Sequence, residues 1–374
     1  MNLADMLSYA DIHELSRIAD NYECECNGHS KNELIQSILT TVNRREVFEQ
    51  LIRSLSVEDI RFLNSLLFDQ RSSFSLEELI ARVQQSKFQK EENENWNPRD
   101  MIARFKQRGW LFNGYSQQTK YLFQVPADLK KRFGDVLGKH FRSSLTLTGE
   151  PGVYRDEQKL IVDDIYYFLQ YLYQQSVALT VENFMYKRSL HQILDRFSVK
   201  EEPVVKTAWR FGYGRMFREY PSRFSLIYDY CYFHGLICED HQTLALTHEG
   251  RERLEQGQKE DLMQVYRFWL RLYKNPIPNL QTLVLWVDRL AVEWTTYSSI
   301  QQVLSPLIRA FYYDTPESIL ESRVVQMMMH LGLLRIGEDE FHGKVIRVTK
   351  LGSGVIQGTY VAEDDKVLLP IDKL

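Results

Sequence analysis

The stretch Met101-Ile-Ala-Arg-Phe-Lys-Gln-Arg-Gly109-Trp-Leu-Phe112 joins an amphipathic segment to a glycine and an apolar triplet, and a second apolar run follows at 121–126. The same layout returns as Leu226-Ile-Tyr-Asp-Tyr-Cys-Tyr-Phe-His-Gly235-Leu-Ile-Cys238, and again as Val324-Val-Gln-Met-Met-Met-His-Leu-Gly332-Leu-Leu-Arg335. A glycine suits the left-handed residue that ends a helix, and two short apolar runs around a polar break predict a β-hairpin. The pattern therefore predicts three copies of a helix followed by a hairpin.

Two further helices are predicted before the first hairpin, at 58–69 and 75–84, because their apolar residues recur three and four positions apart. Three helices followed by a hairpin is the order of a winged-helix domain. Two of the hairpins also end alike, in Thr247-His-Glu-Gly250 and Thr349-Lys-Leu-Gly352. We therefore expect a mainly α chain with small β hairpins, built from tandem winged-helix modules behind an N-terminal helical unit. The alternative is a coincidental repeat of helix, glycine and strand, which is common in α+β proteins.

Composition and charge limit the class of protein. Of the 374 residues, 44% are hydrophobic and 26% are charged, which excludes a disordered chain. The formal net charge is −4, but residues 99–142 hold 10 Lys and Arg against 3 Asp and Glu. Nucleic-acid binding would therefore depend on a local basic patch. Four cysteines cannot form a disulfide framework, and the first residues lack a signal-peptide pattern, so we expect a cytoplasmic protein without a membrane span.

The N-terminal segment carries a recognisable spacing. Asp11-Ile-His-Glu-Leu-Ser-Arg-Ile-Ala-Asp-Asn-Tyr22 is followed by Asn27-Gly-His-Ser-Lys-Asn-Glu-Leu-Ile-Gln-Ser-Ile-Leu39. This resembles the SAP-type helix–extension–helix motif, in which two short helices flank a loop that ends in Gly-x-Ser/Asn-Lys. The resemblance implies DNA binding and places Lys31 at the interface. The insertion Cys24-Glu-Cys26 departs from the usual loop of that family.

A helical unit followed by a hairpin that ends in Val125-Pro126-Ala-Asp-Leu129 also looks like the accessory DNA-binding region beside XPB-type helicases. The resemblance extends over roughly residues 3–260 and implies a nucleic-acid transaction without catalytic residues. The predicted division of the chain is a SAP-like unit at 1–52, a first winged helix at 53–142, a linker at 143–158, a second winged helix at 159–256 and a third at 257–374.

Motifs for catalysis are absent from the sequence. There is no phosphate-binding Gly-x4-Gly-Lys-Ser/Thr loop, no His-Glu-x-x-His and no Gly-x-Ser-x-Gly. Cys24, Cys26 and His29 supply three possible metal ligands in one loop, but a structural zinc site needs four. We therefore expect no enzyme activity, no cofactor and no metal.

The third helix of a winged helix enters the major groove, so its solvent-facing residues decide whether a module can read DNA. In module one, helical spacing predicts that Met101, Ile102 and Phe105 are buried. The polar and basic residues on the other side, near the hairpin tip and beyond the second strand form the expected DNA surface: Arg99, Arg104, Lys106, Gln107, Lys120, Lys130, Lys131 and Arg132. The alternative is a merely solubilising helix face.

The other two modules offer different surfaces. In module two the predicted outward positions include Ser225 and Asp229, and an aspartate there opposes DNA phosphates. Basic and aromatic residues alternate upstream, between Lys206 and Arg223, and such a segment can bind single strands; rings at this density are more often core. In module three the outward positions Val325 and Met329 are apolar and predict contact with a protein partner, or with another part of the same chain.

These observations predict a non-catalytic protein that binds duplex DNA through winged helix 1 and recruits a protein partner through the C-terminal module. The alternative is a protein-interaction scaffold, an accessory subunit of a larger nucleic-acid machine without direct DNA contact. A shift of a short duplex by the purified chain at low salt separates the two.

Overall fold

The computed structural model describes residues 1–26, 28–88, 96–204, 210–362 and 364–369. Over these residues the chain is mainly helical with small antiparallel sheets, as expected from the sequence. It divides into two compact units, Met1–Ser144 (unit 1) and Leu145–Leu374 (unit 2). None of the described helices combines the length and apolar character that crossing a bilayer requires.

Unit 1 contains eight helices and one hairpin among its described residues. The helices are α1 (Leu3–Tyr9), α2 (Ile12–Asn21), α3 (Lys31–Asn43), α4 (Arg45–Arg53), α5 (Val57–Leu67), α6 (Leu76–Ser86), α7 (Pro98–Gln107) and α8 (Ala127–Arg142). The hairpin strands are β1 (Phe112–Asn113) and β2 (Phe123–Gln124). Phe74, between α5 and α6, exchanges two backbone hydrogen bonds with Phe123 and so adds a third extended segment.

A line of aromatic rings holds unit 1 together. Trp110 directly follows the glycine that ends α7, and its ring centroid lies 5.4 Å from that of Phe105 and 4.8 Å from that of Phe133 on α8. Its indole Nε1 donates to the Tyr22 hydroxyl, which in turn donates to the Arg108 carbonyl. The N-terminal helices and the α5–α8 region therefore share one core.

Unit 2 begins with β3 (Val153–Arg155) and α9 (Leu160–Gln174). The elements that follow are β4 (Val177–Ala178), α10 (Lys187–Leu194), α11 (Ser222–Phe233), β5 (Ile237–Asp240), β6 (Thr243–Leu246), α12 (His248–Glu255), α13 (Leu262–Tyr273) and α14 (Leu280–Leu290). Then come β7 (Thr295–Thr296), α15 (Tyr297–Leu304), α16 (Pro316–Ser318), a π-helical turn (Ile319–Val325), α17 (Gln326–His330), β8 (Leu334–Asp339), β9 (Gly343–Val348) and α18 (Lys350–Gly358). The antiparallel sheets have the orders β4-β6-β5 and β3-β8-β9-β7.

One element order occurs three times: a helix, a short extended segment, two helical segments and a hairpin. The extended segments Phe74, β4 and β7 each pair with the second strand of the hairpin in their own copy. The sequence pattern predicted the hairpins but not these single segments. The structure also corrects the predicted linker at 143–158, because β3 within it pairs with β8 and belongs to a four-stranded sheet.

The recurring glycines have a common backbone conformation. Gly109, Gly235 and Gly332 have φ values of +63°, +66° and +68°, so the predicted left-handed end of each third helix is confirmed.

The recurring Thr-x-x-Gly segments begin the helices that follow the hairpins. Thr247 and Thr349 are the N-caps of α12 and α18, and each accepts from the amide of the glycine three residues later. A Cβ atom on Gly250 would lie 2.1 Å from the Leu236 carbonyl oxygen, so only glycine fits beside that carbonyl. Gly352 meets the Leu333 carbonyl oxygen in the same way, at 2.0 Å. The shared sequence signature therefore reflects shared packing.

Candidate nucleic-acid interface

The face of α7 is divided as the sequence predicted. The Asn97 side chain caps the helix and Pro98 occupies its first turn. Met101, Ile102 and Phe105 are buried, whereas the opposite side is exposed to solvent. The exposed residues on that side are Arg99, Ala103, Arg104 and Gln107, with Asp100 in the first turn. This helix can therefore present its polar side to a ligand.

Two cations of this face have partners within unit 1. Arg104 Nη2 donates to Asp59 Oδ1 at 2.7 Å, although its side chain stays half exposed. Lys106 Nζ donates to Asn113 Oδ1 at 2.7 Å and lies 3.5 Å from Glu14 Oε1. Lys106 thus ties α7 to the base of the hairpin.

Arg99 differs from these two cations. Within the described part of the chain, its side chain has no ion pair, and the same holds for Lys120 and Lys131. These three side chains are exposed. Their cationic groups are therefore accessible to a ligand.

The β1–β2 hairpin adds exposed rings to the basic surface. Tyr121 is 74% exposed, and the Lys120 ammonium lies 4.8 Å from its ring centroid. Tyr115, in the same loop, stacks on Tyr9 of α1 with ring centroids 4.7 Å apart and an angle of 18° between the planes. Lys31 Nζ donates to the carbonyl of Ser8, directly before Tyr9. The structure therefore brings Lys31 toward the hairpin, although the sequence pattern placed Lys31 in a separate motif.

Lys130 and Arg132 correct the sequence-based interface. Lys130 Nζ donates to the carbonyls of Asp69 and Arg71 at 3.2 and 3.4 Å, and burial lowers the pKa of its ammonium. Arg132 donates to three carbonyls at the end of α3, including that of Val42 at 2.7 Å. Both side chains connect parts of unit 1. Their cations give up hydration and donate to backbone carbonyls instead, so they are not available to a ligand. Of this basic triplet, Lys131 alone points outward.

In unit 2, the helix α11 has no polar face that is exposed to solvent. Every residue from Arg223 to Cys231 is buried, including the predicted outward positions Ser225 and Asp229. Asp229 Oδ2 accepts from the Arg215 amide at 2.8 Å, and burial raises the pKa of this carboxyl to about 7. The prediction that these positions face solvent is wrong.

A charged network in the interior of unit 2 involves another residue of α11. Arg223, which is fully buried, lies 2.6 Å from Asp164 of α9 and 3.2 Å from Glu157, which follows β3. His330 Nδ1 of α17 is 3.1 Å from the same Glu157 carboxylate. Burial raises the pKa of Glu157, but the hydrogen bond to His330 and the nearby guanidinium groups outweigh it and hold the pKa below its usual range. Arg223 therefore has a structural role.

The basic and aromatic residues upstream of α11 have mixed positions. Lys206 and Trp209 lie outside the described residues. Arg215 makes a bidentate ion pair with Glu239 and is mostly buried, so it cannot bind a ligand. Arg218 is exposed beside Phe217.

Val325 and Met329 are 1% and 5% exposed, so the predicted partner surface is wrong at these positions. The predicted face follows from regular α-helical spacing, whereas Ile319–Val325 forms a π-helical turn, which has more residues per turn and rotates the preceding positions. In α17 the exposed residue is Gln326. The face that carries Val325 and Met329 packs within unit 2, as the alternative prediction of a contact with another part of the same chain had it.

Among the described residues, no group of His, Cys, Asp and Glu is arranged to hold a metal ion. No protein-family model matches the chain, and none of the curated proteins compared with it shows significant similarity. The candidate interface therefore rests on the geometry of unit 1.

Proposed function

We propose that this chain is a non-catalytic DNA-binding protein built from an N-terminal SAP-like unit and three winged-helix modules. In this proposal, α7 and the β1–β2 hairpin of unit 1 bind duplex DNA. The threefold recurrence of the same element order supports the winged-helix assignment. The order alone carries no function, because one fold serves many functions.

The observation that carries the DNA-binding proposal is a difference between the third helices of the three copies. In the described residues, α7 has an exposed face with basic residues, whereas α11 and α17 are almost entirely buried. A helix that enters the major groove needs such a face. Arg99 and Lys120 are suited to phosphate contacts, which supply most of the affinity of non-specific binding.

The experiment is a titration of a fluorescent DNA duplex with the full-length chain, repeated over a range of salt concentrations. We expect Arg99→Glu with Lys120→Glu to weaken binding about tenfold or more at low salt. The salt slope should decrease by roughly two, because each lost phosphate contact contributes about 0.9. Both side chains are exposed, so the stability should change by about 0.5 kcal/mol or less.

The matched control is Arg53→Glu with Lys139→Glu, which changes the net charge equally on two exposed residues of α4 and α8. This control should keep most of the affinity. Equal losses in the two double variants would reduce the interface to a general charge effect and contradict the proposal.

One observation favours the alternative, a protein-interaction scaffold. Phe341, at the tip of the β8–β9 hairpin, is 88% exposed and follows the acidic run Glu338-Asp-Glu340. An exposed ring beside carboxylates suits a basic protein surface better than DNA. If the wild-type chain fails to bind the duplex even at low salt, the scaffold becomes the better account.

A further inference from the structure

In unit 2, a tight turn presents two exposed tyrosine rings. Tyr312 and Tyr313 are 82% and 70% exposed. Phe311 and Asp314 close the turn through two backbone hydrogen bonds of 3.0 Å. Tyr312 has φ of +50°, a conformation that a bulky side chain rarely adopts and that costs conformational energy. The chain therefore holds a large ring in solvent at a strained position.

The two tyrosines belong to a larger aromatic cluster. The Phe211 ring centroid lies 5.6 Å from that of Tyr313, 6.0 Å from that of Tyr312 and 6.1 Å from that of Phe311. Phe311 and Tyr312 contact each other edge to face at 4.7 Å. The half-buried rings support the exposed ones from behind, so the rings form a pre-organised aromatic surface.

Exposed cations lie close to these rings in the chain or beside a neighbouring ring. Arg309, two residues before Phe311, is exposed. Arg218 is also exposed, with its guanidinium 5.6 Å from the ring centroid of Phe217, which neighbours Phe211. Arg323 donates to the Phe211 carbonyl at 2.7 Å and pairs with Asp314 at 2.9 Å, so its charge is balanced within unit 2.

Acidic groups are also present around the cluster. Glu219 and Glu317 lie near it in the chain, and Glu317 is exposed. The rings are therefore expected to supply more of the binding energy than the charges.

We propose that this surface binds single-stranded nucleic acid, with bases stacked on Tyr312 and Tyr313 and phosphates next to Arg309 and Arg218. Exposed rings beside arginines suit unpaired bases, since every base has a π-face and stacking needs no particular sequence. A duplex hides these faces within its own stack. This site belongs to unit 2, and single-strand binding there would be an activity separate from the proposed duplex binding by unit 1.

The test uses the full-length chain and a fluorescein-labelled oligo-dT, with anisotropy as the readout. We expect Tyr312→Ala with Tyr313→Ala to weaken binding to oligo-dT at least about fivefold, the effect of losing one stacked base. Its affinity for the duplex should stay the same. Tyr312→Phe with Tyr313→Phe should keep the oligo-dT affinity, because the rings remain.

Phe341→Ala is the matched control, since it removes another highly exposed ring from unit 2. It should leave oligo-dT binding unchanged. If the double alanine variant does not fold, Arg309→Glu replaces it, and it should weaken the binding and lower the salt slope by about 0.7 per lost contact and more for the added repulsion.

Three results would overturn the proposal: no binding of oligo-dT by the wild type, unchanged affinity in the folded double alanine variant, or an equal loss in Phe341→Ala. The variant Arg99→Glu with Lys120→Glu separates this site from the duplex interface. Both proposals stand if this variant binds the duplex more weakly and if adding Tyr312→Ala with Tyr313→Ala to it weakens oligo-dT binding. If only one of these two losses of affinity is seen, the proposal that expected the other loss fails.

Discussion

The helices α7 and α11 occupy equivalent places in two copies of one element order, and they differ in what surrounds them. Counted back from the glycine that ends each helix, Arg99 corresponds to Ser225 and Ala103 corresponds to Asp229. In α7 both positions are exposed, whereas in α11 both are buried. The comparison teaches that equivalent topology does not preserve an exposed helix face. The neighbours of the helix decide whether its outward side meets solvent or protein.

The largest effect should come from removing the arginine that α11 buries. We expect Arg223→Met to cost about 3–5 kcal/mol in the free energy of unfolding, because it leaves the buried Asp164 without its ion-pair partner and removes one of the cations that contact Glu157. Urea unfolding followed by circular dichroism measures the loss. Arg99→Met in α7 is the matched control and should change stability by about 0.5 kcal/mol or less. A loss below about 1 kcal/mol for Arg223→Met would contradict the structural role.

A second effect concerns pH. The pKa of Asp229 is raised to about 7 in the folded chain, because burial disfavours its charged form. Between about pH 4 and pH 7 the unfolded chain has released this proton and the folded chain retains it, so the stability falls as pH rises. Asp229→Asn should remove that fall, which is at most about 1.4 kcal/mol per pH unit. The measurement is the difference in unfolding free energy between wild type and variant at several pH values. A difference that is constant from pH 4 to pH 7 would show that Asp229 titrates normally.

The smallest effect tests whether the α7 face can be strengthened. Ala103→Arg adds a cation between existing exposed positions of α7, so it should raise affinity for duplex DNA a few fold at low salt and increase the salt slope by about one. Ala103→Gln, of similar length but neutral, is the control in the same binding titration. If the two variants bind alike, α7 does not lie along the phosphates.

Local sequence signals predicted much of the fold. The helices expected at 58–69 and 75–84 occur as α5 and α6, with bounds shifted by two residues or fewer. The hairpins and left-handed glycines also occur as expected, because turn geometry depends on a few adjacent residues. For the candidate interface, the spacing of Met101, Ile102 and Phe105 was enough to orient α7.

The sequence could not indicate the features that depend on distant residues. Phe74, β4 and β7 are too short to show an alternating pattern, so their pairing was missed. Lys130 and Arg132 resemble any basic pair until the carbonyls that they reach are known. The burial of Val325 was missed because regular helical spacing was continued through a π-helical turn.

The network around Arg223 also bears on how unit 2 opens. Through Glu157, which lies between β3 and α9, it connects Asp164 and Arg223 of the second copy of the repeated element order with His330 of the third. Separating either copy from the other would expose charges that balance each other only in the native state. Native-state hydrogen exchange should therefore find α9, α11 and α17 opening together as one cooperative subglobal unit. The second and third copies are therefore expected to fold as one unit, and deleting either copy should destabilise the other.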